Sequence, residues 1–196
     1  MYTQRRLILA SGSPRRRELL SRMGYTFEVC APDVDEKVKG SAEEAVRILA
    51  ERKADAVAAD HPDAIVVASD TLVSLDGRVL GKPADTIDAM HMLKCLSGRE
   101  HEVFTGVCVV DASNDRKEIQ VVLTTVHFRK LTDAEIVAYI ATGEPMDKAG
   151  AYGIQGGAGA FVDHLDGSFE NVMGFPVDEV GRMLTSFGLD PSLRKE

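Results

Sequence analysis

Leu7-Ile8-Leu9-Ala10-Ser11-Gly12-Ser13-Pro14-Arg15-Arg16 holds a strand, a tight loop and the start of a helix. The apolar run from Leu7 to Ala10 suits a short buried strand. Ser13 is a favoured N-cap, and Pro14 suits the first helical position, where an N–H would have no partner in any case. A strand that passes straight into a helix is the building unit of α/β architecture. The same stretch has a chemical character. Arg15 and Arg16 fall in the first helical turn, where the macrodipole disfavours cations by roughly 0.3 to 1 kcal/mol. Two guanidinium groups and free backbone N–H groups at that end call for an anion, most simply a phosphate.

Moving outward, the alternation continues. Gly24 lies just past the end of the first helix, and Tyr25 to Val29 reads as a second strand. Ser41-Ala42-Glu43-Glu44 is a capping box for a helix running to about Ala59, followed by a buried strand at Ile65 to Ala68. Thr71 to Leu75 and Arg78 to Leu80 flank Asp76-Gly77, a strong hairpin signal. Asp85 caps a helix to Leu96 with Gly98 as its stop. Strands at about Glu102 to Val110 and Glu118 to Phe128 then pair across a turn at Ser113-Asn114-Asp115. Thr132 to Glu135 is another capping box, with Leu131 and Ile136 as its hydrophobic staple and Gly143 and Pro145 beyond its end. Five glycines fall between Gly150 and Gly159, which we read as backbone that must approach a ligand closely. Apolar Phe161-Val162 and a helix started by Pro176 complete the chain. The expected fold is an α/β domain over residues 1–196, a mixed twisted sheet flanked by helices, with two lobes around a cleft as one form of it.

Composition bounds the function. With 196 residues, 44% of them apolar and 28% charged, one hydrophobic core of ordinary soluble type is expected. The formal charge of −8 argues against a nucleic-acid coat, which needs a broad basic surface. A polyanion must therefore be met locally. The apolar run after Arg5 and Arg6 is too short for a signal sequence or a membrane span, so the chain reads as cytoplasmic. Cys30, Cys95 and Cys108 form no C-x-x-C pair and read as free, buried thiols.

Asp70 is the strongest single candidate for chemistry. It follows the apolar run Ile65-Val66-Val67-Ala68 and is expected at a strand end, where ligands of open α/β sheets gather. A carboxylate there can hold a divalent metal or take a proton from attacking water. Asp35 or Glu36, in the polar loop after the second strand, can complete an oxygen-ligand site. Lys82 sits between Gly81 and Pro83 in a constrained turn. No P-loop, G-x-G-x-x-G, H-E-x-x-H or G-x-S-x-G is present, and the five histidines form no close ligand pair. Carboxylate plus cations points to phosphoryl chemistry on a nucleotide.

Leu7 to Arg16, Ser69-Asp70-Thr71, Gly81-Lys82-Pro83, Leu96-Ser97-Gly98 with His101, and Asp147 to Gly156 together resemble the Maf family of nucleoside triphosphate pyrophosphatases, from Leu7 to about Phe187. The stretch Ala149 to Gly156 is similar to the branch acting on dTTP and UTP. The resemblance implies hydrolysis of these and of modified pyrimidine nucleotides to the monophosphate and pyrophosphate, keeping them out of nucleic acid. It implies Asp70 as proton acceptor, and Arg15, Thr71 and Gln155 as specificity residues. It places Ser13, Arg16, Lys53 and Lys82 around the triphosphate, and Glu36 with Asp70 at a divalent cation, Mg2+ or Mn2+. A homodimer is a further implication. Ser69 replaces the usual Ala, adding a hydroxyl beside Asp70, and Phe175 replaces Leu at a packing position.

Gln155 offers a physical account of base choice. Its amide can accept from N3–H of uracil or thymine while donating to O4, whereas cytosine presents the opposite order. Because an amide can flip, that account requires a third group to fix it. Two other readings stand beside this one: a non-enzymatic regulator of septum formation that binds nucleotide or nucleic acid, and a pyrophosphatase with another base preference.

Overall fold

The structure, a computed structural model, describes residues 5–191. β1 (Arg6–Leu9) runs parallel to β2 (Glu28–Val29) and to β3 (Ala64–Leu75). β4 (Arg78–Leu80), β5 (Glu100–Asp111), β6 (Arg116–Phe128) and β7 (Val162–Asp166) join by antiparallel pairings. The sheet order is β2-β1-β3-β5-β6-β7, with β4 paired to β3 off that path. The helices are α1 (Pro14–Arg22), α2 (Ala42–Asp60), α3 (Thr86–Leu96), α4 (Asp133–Ala141), α5 (Phe169–Met173) and α6 (Val177–Ser186). Among the described residues, no helix is long and apolar enough to cross a membrane.

Period-two alternation sorts the core onto two faces. Ile8, Ala10, Val66, Ala68, Cys108 and Val110 face α2, whose Ala50, Ala54, Val57 and Ala58 are buried against them. Leu7, Leu9, Ile65, Val67, Val107 and Val109 join the larger core with α1, α3 and α6, where Leu20, Leu93, Leu96, Met183 and Leu184 are fully buried. Each such side chain stabilises the fold by about 1.5 to 3 kcal/mol through lost apolar hydration.

The capping signals hold at Ser13, Ser41, Asp85 and Thr132, and both capping boxes form. Four expectations need correction. The second strand is only Glu28–Val29, because the chain before it turns inward to bury Tyr25, whose hydroxyl bonds Thr185 of α6. The two strands expected at Ile65–Ala68 and Thr71–Leu75 are one, because β5 pairs continuously from Ile65 to Ser74. Pro176 is the N-cap of α6 rather than its first residue. Of the free cysteines only Cys108 is buried; Cys95 is exposed on α3, where Leu93 and Leu96 take the inward positions, and Cys30 is half-buried.

One feature of the sheet locates the site. β1 pairs with β3 as far as Leu9↔Val67, and β4 first pairs with it at Val73↔Leu80. Between them, residues 68–72 of β3 have a strand neighbour only on the β5 side. The opposite edge is a gap, flanked by the loop that starts α1 and by the turn after β4.

Candidate active site

Asp70 lies at that gap. It is therefore in the middle of a strand rather than at its end; what ends there is the neighbouring β1, so the carboxylate still stands at the carboxyl edge of the parallel part of the sheet. Asp70 pairs in register with Gly106 of β5. A Cβ on Gly106 would fall 2.3 Å from the carbonyl oxygen of Val46 in α2, so the absent side chain lets the helix backbone lie directly on the sheet. Farther along, α2 projects Lys53 onto Asp70, with Nζ 2.6 Å from Oδ1. Lys53 and Asp70 are each 8% exposed.

Lys53 Nζ also lies 2.7 Å from Oε1 of Glu36, whose side chain is largely exposed. That bond, aided by the charges of Lys82 and Arg16, holds the Glu36 carboxyl below its usual range, against a smaller opposing effect of burial. The alternative Asp35 is spent on its own turn, accepting from the Lys37 N–H at 3.0 Å. Two carboxylates thus converge on one ammonium.

The other wall is built from α1. Ser13 caps the helix, accepting from Arg16 N–H at 3.5 Å, and no acidic residue occupies the first turn. Arg16 donates Nε to the Gly174 carbonyl at 2.9 Å and Nη2 to Thr71 Oγ1 at 3.3 Å. Burial pushes its pKa below the ordinary arginine value, partly offset by the Asp70 charge. Thr71 Oγ1 is 2.8 Å from Thr105 Oγ1, which donates to the Asn171 carbonyl at 3.0 Å. The alternation of β3 therefore turns Asp70 toward α2 and Thr71 toward α5.

Lys82 is exposed at the rim, in a turn tied down by the bond from Gly150 N–H to the Gly81 carbonyl at 3.0 Å. Arg15 lines the cleft, and its charge adds to the Lys148 bond in holding the Asp147 carboxyl below its usual range. Gln155 lines the same opening, with its side chain exposed. The cleft has a volume of about 970 Å³, within the range of small-molecule sites, and every sequence-selected residue except the alternative Asp35 borders it.

Against this geometry the comparisons are specific. The family of Maf-like proteins matches residues 6–187. The chain belongs to the Maf family. A dTTP/UTP pyrophosphatase of Pelotomaculum thermopropionicum is 48% identical over 184 residues, covering 93% of this chain and 96% of that one. The dTTP/UTP pyrophosphatase of Moorella thermoacetica is 49% identical over 187 residues, covering 94% and 96%. A HAM1 protein from Coxiella burnetii aligns with a TM-score of 0.49 at 17% identity, over 92% of this chain and 98% of that one.

In this Maf-family chain two details, at Ser69 and in the glycine-rich segment, differ from expectation, whereas Phe175 packs as expected. The Ser69 hydroxyl donates to the Gly174 carbonyl at 3.1 Å, on the face opposite Asp70, so it leaves the carboxylate untouched. Phe175 is fully buried in the larger core. The glycines between Gly150 and Gly159 approach the protein itself. A Cβ would meet Val73 at Gly150, Lys148 at Gly153 and Glu144 at Gly156.

Other features in and beside the cleft were given no role from the sequence. α5 is framed by Ser168 as N-cap and by Gly174 with φ 104°, a capping pair that was available as a signal. Asn171 of α5 is fully buried and donates to the Val103 and Val122 carbonyls. Tyr152 borders the cleft, its hydroxyl 2.7 Å from Nε2 of buried His101. Burial, with a lesser contribution from His127, pushes His101 down to about 4, so it is neutral near pH 7.

Proposed function

We propose that this chain hydrolyses dTTP and UTP, and modified pyrimidine nucleoside triphosphates, to the nucleoside monophosphate and pyrophosphate. The observation that carries the reading is the Lys53–Asp70 pair at the gap in the sheet, facing the arginines of α1 across one cleft. The names of the relatives support the substrate class.

A nucleoside triphosphate brings about four negative charges, so an acidic protein must concentrate its cations where the phosphates lie. Arg15, Arg16, Lys53 and Lys82 supply them, with the capped start of α1 at Ser13. Arg16 is anchored at Gly174 and Thr71, so its guanidinium is set before substrate arrives. Asp70 acts as the general base. Lys53 occupies Oδ1, and Oδ2 accepts no hydrogen bond among the described residues, which leaves it for a water. Water loses its proton to Asp70 and adds to the α-phosphorus, and pyrophosphate departs toward the basic residues.

Glu36 and Asp70 fit a divalent cation such as Mg2+ or Mn2+, since both offer hard oxygen donors and already converge on one positive charge at Lys53. Among the described residues no cluster of three or more His, Cys, Asp or Glu forms a metal cage, so phosphate oxygens and water would complete the set. When bound, such a cation stabilises negative charge on the phosphate oxygens. Base choice falls to Arg15, Thr71 and Gln155. We assign the chain to the cytoplasm, where its substrates are.

Pyrophosphate release measured with Mg2+ across the common and methylated nucleoside triphosphates tests the whole reading. Turnover concentrated on dTTP, UTP and their modified forms is expected. Equal turnover on every base removes the preference, and no release from any leaves the nucleotide-binding regulator.

A further inference from the structure

Gln155 reads a base only if its amide is held in place, yet among the described residues nothing hydrogen-bonds its side chain. The backbone around it, by contrast, is pinned on both sides. Gly153 N–H donates to the Tyr139 hydroxyl at 3.0 Å, and Gly157 N–H donates to Oε2 of Glu144 at 3.2 Å. The circuit closes because the Tyr139 hydroxyl donates to Oε1 of Glu144 at 3.0 Å. One carboxylate and one phenol thus grip the residues two before and two after Gln155.

The glycines make room for this grip. A Cβ on Gly156 would lie 2.1 Å from Oε1 of Glu144, and one on Gly153 would lie 3.2 Å from the same oxygen. Glu144 is itself fixed, its N–H donating to Thr142 Oγ1 at 3.2 Å and its carbonyl accepting from Lys148 Nζ at 2.9 Å. Tyr139 is buried edge-to-face on Phe161. A carboxylate bordering a cleft for a polyanion works against binding by like-charge repulsion. Both oxygens of Glu144 are instead engaged by donors of the protein, which gives the group a reason to be there.

We propose that Glu144, acting with Tyr139, is a positioning residue for base selection: it clamps the loop from Gly153 to Gly157 and so sets the direction of the Gln155 amide. This rests on the reading of Gln155 as the base-contacting group. Glu144 touches neither base nor phosphate in this assignment; it works through the loop.

The test compares Glu144→Ala, Tyr139→Phe and Gln155→Ala, singly and with each of the first two added to the third. Two quantities are read: the ratio of kcat/KM for UTP to that for CTP, and hydrogen exchange of the amides from Gly153 to Gly157. Glu144→Ala and Tyr139→Phe should each lower the ratio by roughly tenfold to a hundredfold. The change should appear mainly in KM for UTP, and the loop amides should exchange faster. Neither should lower the ratio further once Gln155 is Ala. Tyr139→Phe keeps the ring and its packing, so it answers the question even where Glu144→Ala fails to fold.

An unchanged ratio in Tyr139→Phe, or unchanged exchange in the loop, overturns the clamp. A further fall in the ratio when Glu144→Ala is added to Gln155→Ala also overturns it, since Glu144 would then meet the base directly. Faster exchange in the clamp variants beside an unchanged ratio in Gln155→Ala separates the two ideas: the loop is clamped, but Gln155 is not the reader and the selection role falls.

Discussion

Lys53 Nζ lies 2.6 Å from Asp70 Oδ1, joining the helix on one face of the sheet to the carboxylate at the sheet's internal gap. The two charges are nearly buried, so each depends on the other. Asp70→Asn keeps the shape but removes the base, and kcat should fall about a hundredfold to ten-thousandfold while the fold survives. Lys53→Met leaves the carboxylate without its ammonium, which costs about 3 to 5 kcal/mol in a fully buried pair and less here beside an open cleft. Urea titrations and pyrophosphate release read the two variants. Near-parental turnover in Asp70→Asn at saturating Mg2+ would end its role as base.

Gly106 is the contact that lets α2 reach the sheet opposite Asp70. A methyl group there has no space, because the obstacle is the backbone carbonyl of Val46 rather than a flexible side chain. Gly106→Ala should destabilise by about 1 to 3 kcal/mol or more through overpacking. Displacing α2 should also spread Lys53 from Asp70, so activity should fall along with the melting temperature. Retained stability with full activity would show that the helix is not held at this point.

Thr71 joins Arg16 to Thr105 through one hydroxyl. Thr71→Val preserves shape and removes both bonds, one of them long at 3.3 Å. Each such bond is worth about 0.5 to 1.5 kcal/mol, so KM for the triphosphate should rise roughly fivefold to tenfold. Thr71→Ser should stay close to the parent. Equal behaviour of the two variants would remove the hydroxyl from substrate binding.

His101 gives a pH signature. Burial lowers its pKa from the ordinary value of 6.5 to about 4, so the folded form takes up a proton less readily than the unfolded chain. Its contribution to stability is complete above pH 6.5 and is lost as pH falls from there toward about 4, at no more than about 1.4 kcal/mol per pH unit. Chemical denaturation of the parent and of His101→Asn across that window isolates this group from the carboxylates. The stability difference between them should narrow as pH falls, and NMR should find no titration of the His101 ring above pH 5. A ring titrating near 6.5 would contradict its burial as a neutral partner of Tyr152.

Much of this molecule was legible along the chain because the signals involved are local. Alternating apolar residues in the strands, the caps at Ser13, Ser41, Asp85 and Thr132, and the turn at Asp76-Gly77 each depend on neighbours a few residues away. Asp70, Arg15 and Arg16 stood out by the same logic, as charged groups where local structure alone gives no reason for them.

What only the tertiary structure decided is long-range. No local rule says that β1 stops at Leu9 while β3 continues to Leu75, yet that difference opens the gap at which Asp70 stands. Gly106 reads as an ordinary strand residue until α2 is laid on it, and Lys53 reaches Asp70 only as a result. The glycine-rich segment was visible as backbone needing close approach, but the sequence pointed to a ligand where the fold places Val73, Lys148 and Glu144. Steric demand along a chain reveals that space must be left empty, and only packing between distant segments, here Glu144 and Lys148 against Gly153 and Gly156, determines what fills it.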